Sequence, residues 1–388
     1  NVDEAQNYFM AEIKGGVHLS DSFFDEASVL VRGFWDAVGS GENRMALKGN
    51  IGLPISDETF TLGVSLDYVG GEFENGPLTQ LQAEPGVVYS YFQTGILPSL
   101  ELIRDDLKLE LGAKIVLGLD TENSQTDFYI YPAVNASYVL SEDMLVAYGG
   151  VEGGLIQNSY YDFTNQNPFI SPTLMVMPTD RQYEAYLGIR GQLLPQLSYN
   201  LKGTYRAENF SPLFLLNPVN EFRSDDKSYM YGNSFRVFYD DVKTLGIFAE
   251  LELSVNRNFT LGVNTSINDY STETGNPAWN LPNLEGSLFM DYQIGSQWYF
   301  GASLFYVGER EDLASIAGSV IPPEDFPAQI RTLEGYFDAN LQLGYHLNGQ
   351  LSLFARASNL VNNSYQRWAN FRVQGLQVMA GASYKFDL

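Results

Sequence analysis

The chain has 388 residues, with 47 acidic and 22 basic side chains, a formal net charge of −25 and no cysteine. Nucleic-acid binding needs clustered Lys and Arg to neutralise phosphates, and no such stripe is present; without cysteine there is neither a disulfide framework nor a thiolate metal site. Apolar residues make up 45% and mean hydropathy is −0.15, with no run near the ~18 apolar residues of a membrane-spanning helix, which excludes a helical membrane protein.

Alternation of apolar with small or polar residues marks candidate strands at 8–19, 26–36, 43–55, 58–73, 86–96, 105–119, 126–140, 143–158, 181–194, 196–209, 233–256, 258–271, 283–295, 297–309, 332–347, 350–361 and 374–388. Within 105–119, Leu107, Leu109, Leu111, Ala113, Ile115 and Leu117 face one way and Lys108, Glu110, Gly112, Lys114 and Gly118 the other. Within 196–209, Leu197, Tyr199, Leu201 and Tyr205 oppose Asn200, Lys202 and Arg206. In 243–256, Leu245, Ile247, Ala249, Leu251, Leu253 and Val255 oppose Glu250, Glu252 and Ser254; in 332–347, Leu333, Phe337, Leu341, Leu343 and Tyr345 oppose Asp338, Asn340 and Gln342.

Connections alternate in length. Short ones are Ser56-Asp57, Ser141-Glu142, Pro195, Asn256-Arg257, Gly295-Ser296 and Asn348-Gly349, the last a hairpin signal whose two residues tolerate positive φ. Long ones fall at 73–85, 159–180, 210–232, 272–282, 310–331 and 362–373. A sandwich built from Greek keys has no such rule, whereas an outer-membrane barrel has tight periplasmic turns and long outer loops. The expected fold is therefore all-β, a transmembrane antiparallel up-and-down β-barrel of about 16 strands (roughly 14–18) formed by residues 1–388 as one domain. Its polar face becomes a lumen, with Lys108, Glu110, Lys114, Arg190, Lys202, Arg206, Glu250, Glu252, Asp291, Asp338 and Arg356 as candidate lumen-facing groups.

Aromatic residues make up 14%, with 25 Tyr and 25 Phe, and several, such as Trp35, Tyr68, Tyr138, Tyr292 and Trp298, lie near strand ends where interface girdles sit. Acids gather in connections: Asp57 and Glu58, Glu72 and Glu74, Asp225 and Asp226, Glu309, Glu311 and Asp312, Glu324 and Asp325. They read as solvated loops, with cation binding as the sharper alternative, and the Asp240-Asp241 pair reads the same way. The only histidines are His18 and His346, neither beside a motif-defined nucleophile, so no catalytic site, metal or cofactor is expected. The Gly pairs at 15–16, 70–71, 149–150 and 153–154 read as bends, bulges or close-packed barrel positions.

The last strand, with Val378, Ala380, Ala382, Tyr384, Phe386 and Leu388 on one face, resembles the terminal strand of outer-membrane barrels. Asn359-Leu360-Val361-Asn362-Asn363-Ser364-Tyr365 resembles the N-L-F-N-x-x-Y segment of TonB-dependent receptors, with Val361 in place of Phe and no P-G-R turn before the last strand. Asn165-Gln166-Asn167-Pro168 through Ser171-Pro172-Thr173, followed by Gln182-Tyr183, resembles TonB-receptor-type barrels of the Bacteroidetes.

The resemblance implies an integral protein of a Gram-negative outer membrane, in contact with lipid and lipopolysaccharide, acting as a channel or receptor-like transporter. Family members carry an N-terminal plug and a longer barrel, and this chain begins almost directly in a strand. The candidates number an odd count where single-chain bacterial barrels are generally even, so one strand is miscounted or precedes Asn1. The alternative to transport is an accessory subunit of an assembly, export or surface-lipoprotein complex, with other outer-membrane proteins or lipoproteins as partners.

Overall fold

A computed structural model describes residues 6–19, 24–55, 58–76, 86–142, 144–217, 227–314 and 330–386. Strands β1 (Tyr8–His18), β2 (Phe24–Asp36), β3 (Gly41–Ile55), β4 (Glu58–Phe73), β5 (Val87–Arg104), β6 (Leu107–Asp120), β7 (Gln125–Ser141) and β8 (Leu145–Ile156) precede the short helix α1 (Tyr160–Gln166). After it come β9 (Thr179–Leu194), β10 (Leu197–Leu216), β11 (Phe235–Asn256), β12 (Phe259–Thr272), β13 (Leu284–Ile294) and β14 (Trp298–Val307). The hairpin β15 (Arg310–Leu313) and β16 (Ile330–Leu333) leads to β17 (Tyr336–His346) and β18 (Leu351–Ser358), and the small pair β19 (Gln366–Trp368) and β20 (Phe371–Arg372) to β21 (Gln377–Tyr384).

All but β15, β16, β19 and β20 form one 17-stranded antiparallel meander in which each strand pairs with the next along the chain. An odd number of alternating strands makes β1 and β21 run in the same direction; among the described residues β1 pairs with β2 and β21 with β18. Strands are about 4.8 Å apart, so in a flat sheet β2 and β10 would lie roughly 38 Å from one another, whereas the seven-residue α1 is only about 10 Å long. Arg32 of β2 reaches Asp162 of α1 while Phe214 of β10 packs edge-on against Phe163 of α1, so the sheet curls around the helix.

The register sorts the side chains onto two faces. On β11 the odd positions Leu245, Ile247, Leu251 and Val255 are exposed, while Asp240, Val242, Thr244 and Gly246 on the other face are buried; near its start Phe235, Val237 and Tyr239 pack with the α1 cluster. Strand after strand repeats this outward set, from Ile13 and Val31 through Leu187 and Ile267 to Leu343 and Val378. A contiguous apolar surface of that extent is not left to water by a soluble monomer; it marks contact with lipid or protein. No helix among the described residues is long and apolar enough to cross a membrane, so strands alone would have to do so.

Several boundaries differ from the sequence pattern. β5 continues to Arg104 rather than ending near 96, although Pro98 has no N–H to give. Leu97 and Pro98 drop out of the β5–β6 ladder, which resumes in unchanged register at Ser99 opposite Gly112, while Pro98 still faces Leu62 of β4. β10 runs on to Leu216 past a bulge at Phe210, whose positive φ of 54° is held by its N–H donating to Asp241 at 3.0 Å.

The alternation of short and long connections is not uniform, because 37–40 and 121–124 are tight turns at the long-connection end. The β17–β18 hairpin forms at Asn348-Gly349 without positive φ at either residue: the Asn348 carboxamide oxygen accepts from the Gln350 and Leu351 N–H groups at 2.9 and 2.8 Å. Together with the Leu347 and Asn348 N–H groups donating to the Leu351 carbonyl, this side chain holds the turn without left-handed backbone. Leu388 and the Ser56-Asp57 turn lie outside the described residues.

Candidate functional site

At the long-connection end, the segment between β8 and β9 folds inward. Ser159 caps α1, accepting from the Asp162 N–H at 3.1 Å through its hydroxyl, and Asn167 ends the helix by donating its backbone N–H to the Phe163 carbonyl. Seven residues are too few for a helix to persist on its own, so its stability comes from what surrounds it. Tyr160 and Phe163 are fully buried against Phe34 of β2, Val69 and Phe73 of β4, Tyr89 of β5, Phe214 and Leu216 of β10 and Phe235 of β11. Downstream, Ile170 and Ser171 bridge to Phe235, and Phe169 stacks on Phe371 at 3.5 Å between ring centroids. Trp368 stands edge-on to both Phe214 and Phe235.

Charged groups on β1–β4 hold the start of the helix. The buried Glu42 carboxylate accepts from the Tyr89 hydroxyl at 2.7 Å and from the Tyr160 and Tyr161 backbone N–H groups at 2.5 and 3.4 Å, placing negative charge at the helix N-terminus. Asp36 accepts from the Tyr160 hydroxyl at 2.9 Å, and burial beside Tyr8 and Asp36 pushes that phenol far above its ordinary range. Arg44 grips Asp67 with two parallel hydrogen bonds, at 3.0 and 2.8 Å, and reaches Asp162 at 2.9 Å. Arg32 spans Glu12 at 3.2 Å and Asp162 at 3.4 Å, its guanidinium 3.9 Å above the Tyr161 ring. A second network, Arg181 with Glu208 at 2.8 Å and Arg206 with Glu184 at 2.7 Å, links β9 and β10 on the same face.

The sequence-predicted polar groups occupy this face but do not converge. Lys108 pairs with Glu101 at 2.7 Å near the short-turn end; Glu110 faces Asn135, and Lys114 faces Tyr131. Arg190 lies over the Tyr148 ring, Lys202 over that of Tyr186, and Arg356 over that of Phe354. Arg206 belongs to the β9–β10 network, Glu250 faces Asn200 and Asn264, and Glu252 accepts from Ser254 at 3.3 Å. Asp291 faces Gly301, and Asp338 accepts from the Tyr365 hydroxyl at 2.6 Å. Arg32, Glu42, Arg44 and Asp162 escaped the sequence reading; the Ser159-x-x-Asp162 spacing is a helix-start signal that could have found Asp162, whereas nothing local marks the other three.

The acidic connections are less solvated than expected. Asp312 is fully buried, accepts from the Leu216 and Leu313 N–H groups at 3.0 and 2.7 Å, and is pushed up by burial. Asp240 is also buried and accepts from Thr274 and the Asp241 N–H, so the pair organises a loop. Asp225, Asp226, Glu324 and Asp325 lie outside the described residues, as does Asp57; Glu58 pairs with Arg104 at 3.0 Å. Among the described residues no cluster of three or more His, Asp or Glu is arranged to hold a metal ion. His346 Nδ1 lies 2.7 Å from the Ser352 hydroxyl in an exposed turn, and His18 faces Glu26 across β1 and β2.

A family profile for TonB-dependent receptor-like β-barrels matches residues 32–360. The chain belongs to that family. TonB-dependent receptor-like barrels are transport proteins of Gram-negative outer membranes, receptors and transporters rather than enzymes. Among solved structures, this TonB-dependent receptor-like barrel is similar to the FrpB iron transporter of Neisseria meningitidis (12% identity, TM-score 0.66), covering 98% of this chain and 63% of that one.

It is likewise similar to the ferric-catecholate import receptor Fiu of E. coli K12 (11%, TM-score 0.65, 98% and 64%) and the pyoverdine outer membrane receptor FpvA of Pseudomonas aeruginosa PAO1 (14%, TM-score 0.61, 98% and 58%). At such identities the likeness concerns the fold. The chain spans less than two thirds of these proteins' lengths. No curated protein matches it.

Proposed function

We propose that this barrel is a receptor-like transporter seated in the outer membrane, with its apolar face in lipid and lipopolysaccharide and its polar face lining a solute path. The observation that carries the reading is the division of charge: Lys108, Glu110, Lys114, Arg190, Lys202, Arg206, Glu250, Glu252, Asp291, Asp338 and Arg356 share by register the face that carries α1, opposite the exposed Leu and Ile positions. A Lys or Arg placed toward lipid at mid-bilayer costs about 2–4 kcal/mol, and none of these six basic groups meets that cost on the inward face. The buried α1 segment narrows the long-connection end, and its ion pairs with Arg32 and Arg44 are among the contacts that must break for it to move.

Planar-bilayer recording tests this. The purified chain should be nearly silent, and the Arg32→Ala/Arg44→Ala double variant, by freeing Asp162, should introduce resolvable ion-conducting steps. A barrel that stays silent in both forms and co-purifies stoichiometrically with other outer-membrane proteins or lipoproteins would instead establish the accessory role.

A further inference from the structure

A cavity of about 280 Å³ opens on the inward face at the long-connection ends of β5, β6 and β7, beside the segment that follows α1. Its apolar wall includes Tyr91, Tyr129 and Met175, and its charged lining consists of Asp120, Asp127 and Asp180, with no Lys, Arg or His. Tyr129 is held in place by stacking on Tyr131 at 5.8 Å, with the rings nearly parallel, and the Tyr131 hydroxyl donates to Asp180 at 2.8 Å.

The carboxylates are oriented by neutral donors. Asp120 accepts from the Asn123 N–H at 3.0 Å and its carboxamide at 2.8 Å, Asp127 from the Gln125 carboxamide at 2.9 Å, and Asp180 also from the Asn209 carboxamide at 3.2 Å. None of the three takes part in an ion pair among the described residues, although cations pair with Glu and Asp elsewhere on this face. Three uncompensated negative charges around tyrosine faces repel anions and favour a cation that also has an apolar body. Neighbouring carboxylates make a small neutral guest gain little.

The geometry points to this cavity as a binding site for small organic cations, of the size of a single-ring arylalkyl amine. The ammonium group lies among the carboxylates and the ring against Tyr129 and Met175, with sulfur contacting the ring edge. The inference rests on the reading of this mouth as a solute-receiving surface and supplies the chemical class of solute.

The test is isothermal titration of the detergent-purified full chain with 2-phenylethylamine, beside 2-phenylethanol and phenylacetate as neutral and anionic counterparts. The amine should bind, the other two should not, and its affinity should fall with added NaCl as the charges are screened. Asp127→Asn, at a carboxylate hydrogen-bonded to the exposed Gln125, should weaken the amine about tenfold, and Tyr129→Leu should do so by a similar factor. Heat-modifiable gel mobility reports whether each variant is folded, and Tyr129→Leu serves should Asp127→Asn fail to fold. Equal binding of phenylacetate or 2-phenylethanol, or undiminished amine affinity in the folded variants, overturns the inference. Flux of the amine into proteoliposomes is read separately, in the variant that frees Asp162: binding without flux there counts against the transport reading and leaves the site standing.

Discussion

Glu42 at the start of β3 and Tyr160 at the start of α1 are 118 positions apart in sequence and joined by a 2.5 Å hydrogen bond from the Tyr160 backbone N–H to the Glu42 carboxylate. This contact ties a loop emerging from β8 to the opposite side of the curled sheet. It also satisfies backbone donors that a helix terminus otherwise leaves without partners. The carboxylate is buried and simultaneously accepts from Tyr89, so one side chain aligns β3, β5 and α1.

Removing that carboxylate leaves two backbone N–H groups and one phenol without an acceptor in a dry site. Glu42→Ala should therefore destabilise the docked segment by about 2–4 kcal/mol, because hydrogen bonds to charged groups contribute about 1.5–3 kcal/mol each and are not additive. Hydrogen exchange at the amides of 160–167 should accelerate by about 30-fold to about 900-fold, the factor those energies imply. Glu42→Gln, which keeps an acceptor oxygen and the side-chain shape, should recover most of the protection. Unchanged exchange in the alanine variant would mean that the aromatic cluster alone holds α1.

The two faces of β11 give a second test. Leu251 is exposed on the outward face, and Glu252 is on the inward one. Leu251→Arg should impair insertion into liposomes, at a cost of about 2–4 kcal/mol if the residue sits near the bilayer midplane, while Glu252→Arg should insert normally. Folded fractions from heat-modifiable gel mobility provide the comparison, and equal tolerance would contradict the assignment of lipid and lumen faces.

The strand faces were legible in the sequence because a period of two is a local property: Lys108, Glu110 and Lys114 share a face whatever the partner strands are. Family membership was legible too, from Asn359 to Tyr365 and the aromatic terminal strand. The filled mouth was not. Helix α1 is too short to show a helical period, and its stability comes from residues such as Phe34, Phe214 and Phe235 that only the curled sheet brings together. Pro98 misled in the opposite direction, since it resembles a strand stop, yet β5 absorbs it as a two-residue gap in one ladder. Asp312 looked like a solvated loop acid because nothing local records that a second long connection lies over it.

Asp312 predicts a pH dependence at the β15–β16 hairpin. Burial raises its pKa in the folded protein above the ordinary 3.8, so the folded hairpin prefers the protonated acid. A raised folded pKa means that the folded form binds more protons than the unfolded one over the interval between the two values. Docking is therefore most stable below the ordinary value, weakens as pH rises toward the raised one, and is flat above it. Asp312→Asn keeps an acceptor for the Leu216 N–H and has no charge to bury, so it should abolish the slope. Exchange of the Leu216 and Leu313 amides across that pH range measures it.

The Asn348-Gly349 hairpin separates two ways of making a tight turn. A turn that depended on left-handed backbone would lose stability when glycine acquired a side chain, by more than the few tenths of a kcal/mol that are ordinary for an unstrained surface change. Here Gly349 does not have positive φ, and a Cβ added to it meets nothing within 4 Å. The Asn348 side chain, which accepts from both Gln350 and Leu351, reinforces the backbone bonds that the Leu347 and Asn348 N–H groups donate to the Leu351 carbonyl. Asn348→Ala should thus cost about 1 kcal/mol, as for the loss of a capping side chain, and Gly349→Ala less than about 0.5 kcal/mol. Urea titration of the barrel in lipid vesicles, with Trp298 and the other tryptophans as fluorescent reporters, resolves this difference. A larger loss at Gly349 than at Asn348 would mean that the turn depends on the conformational freedom of its glycine after all.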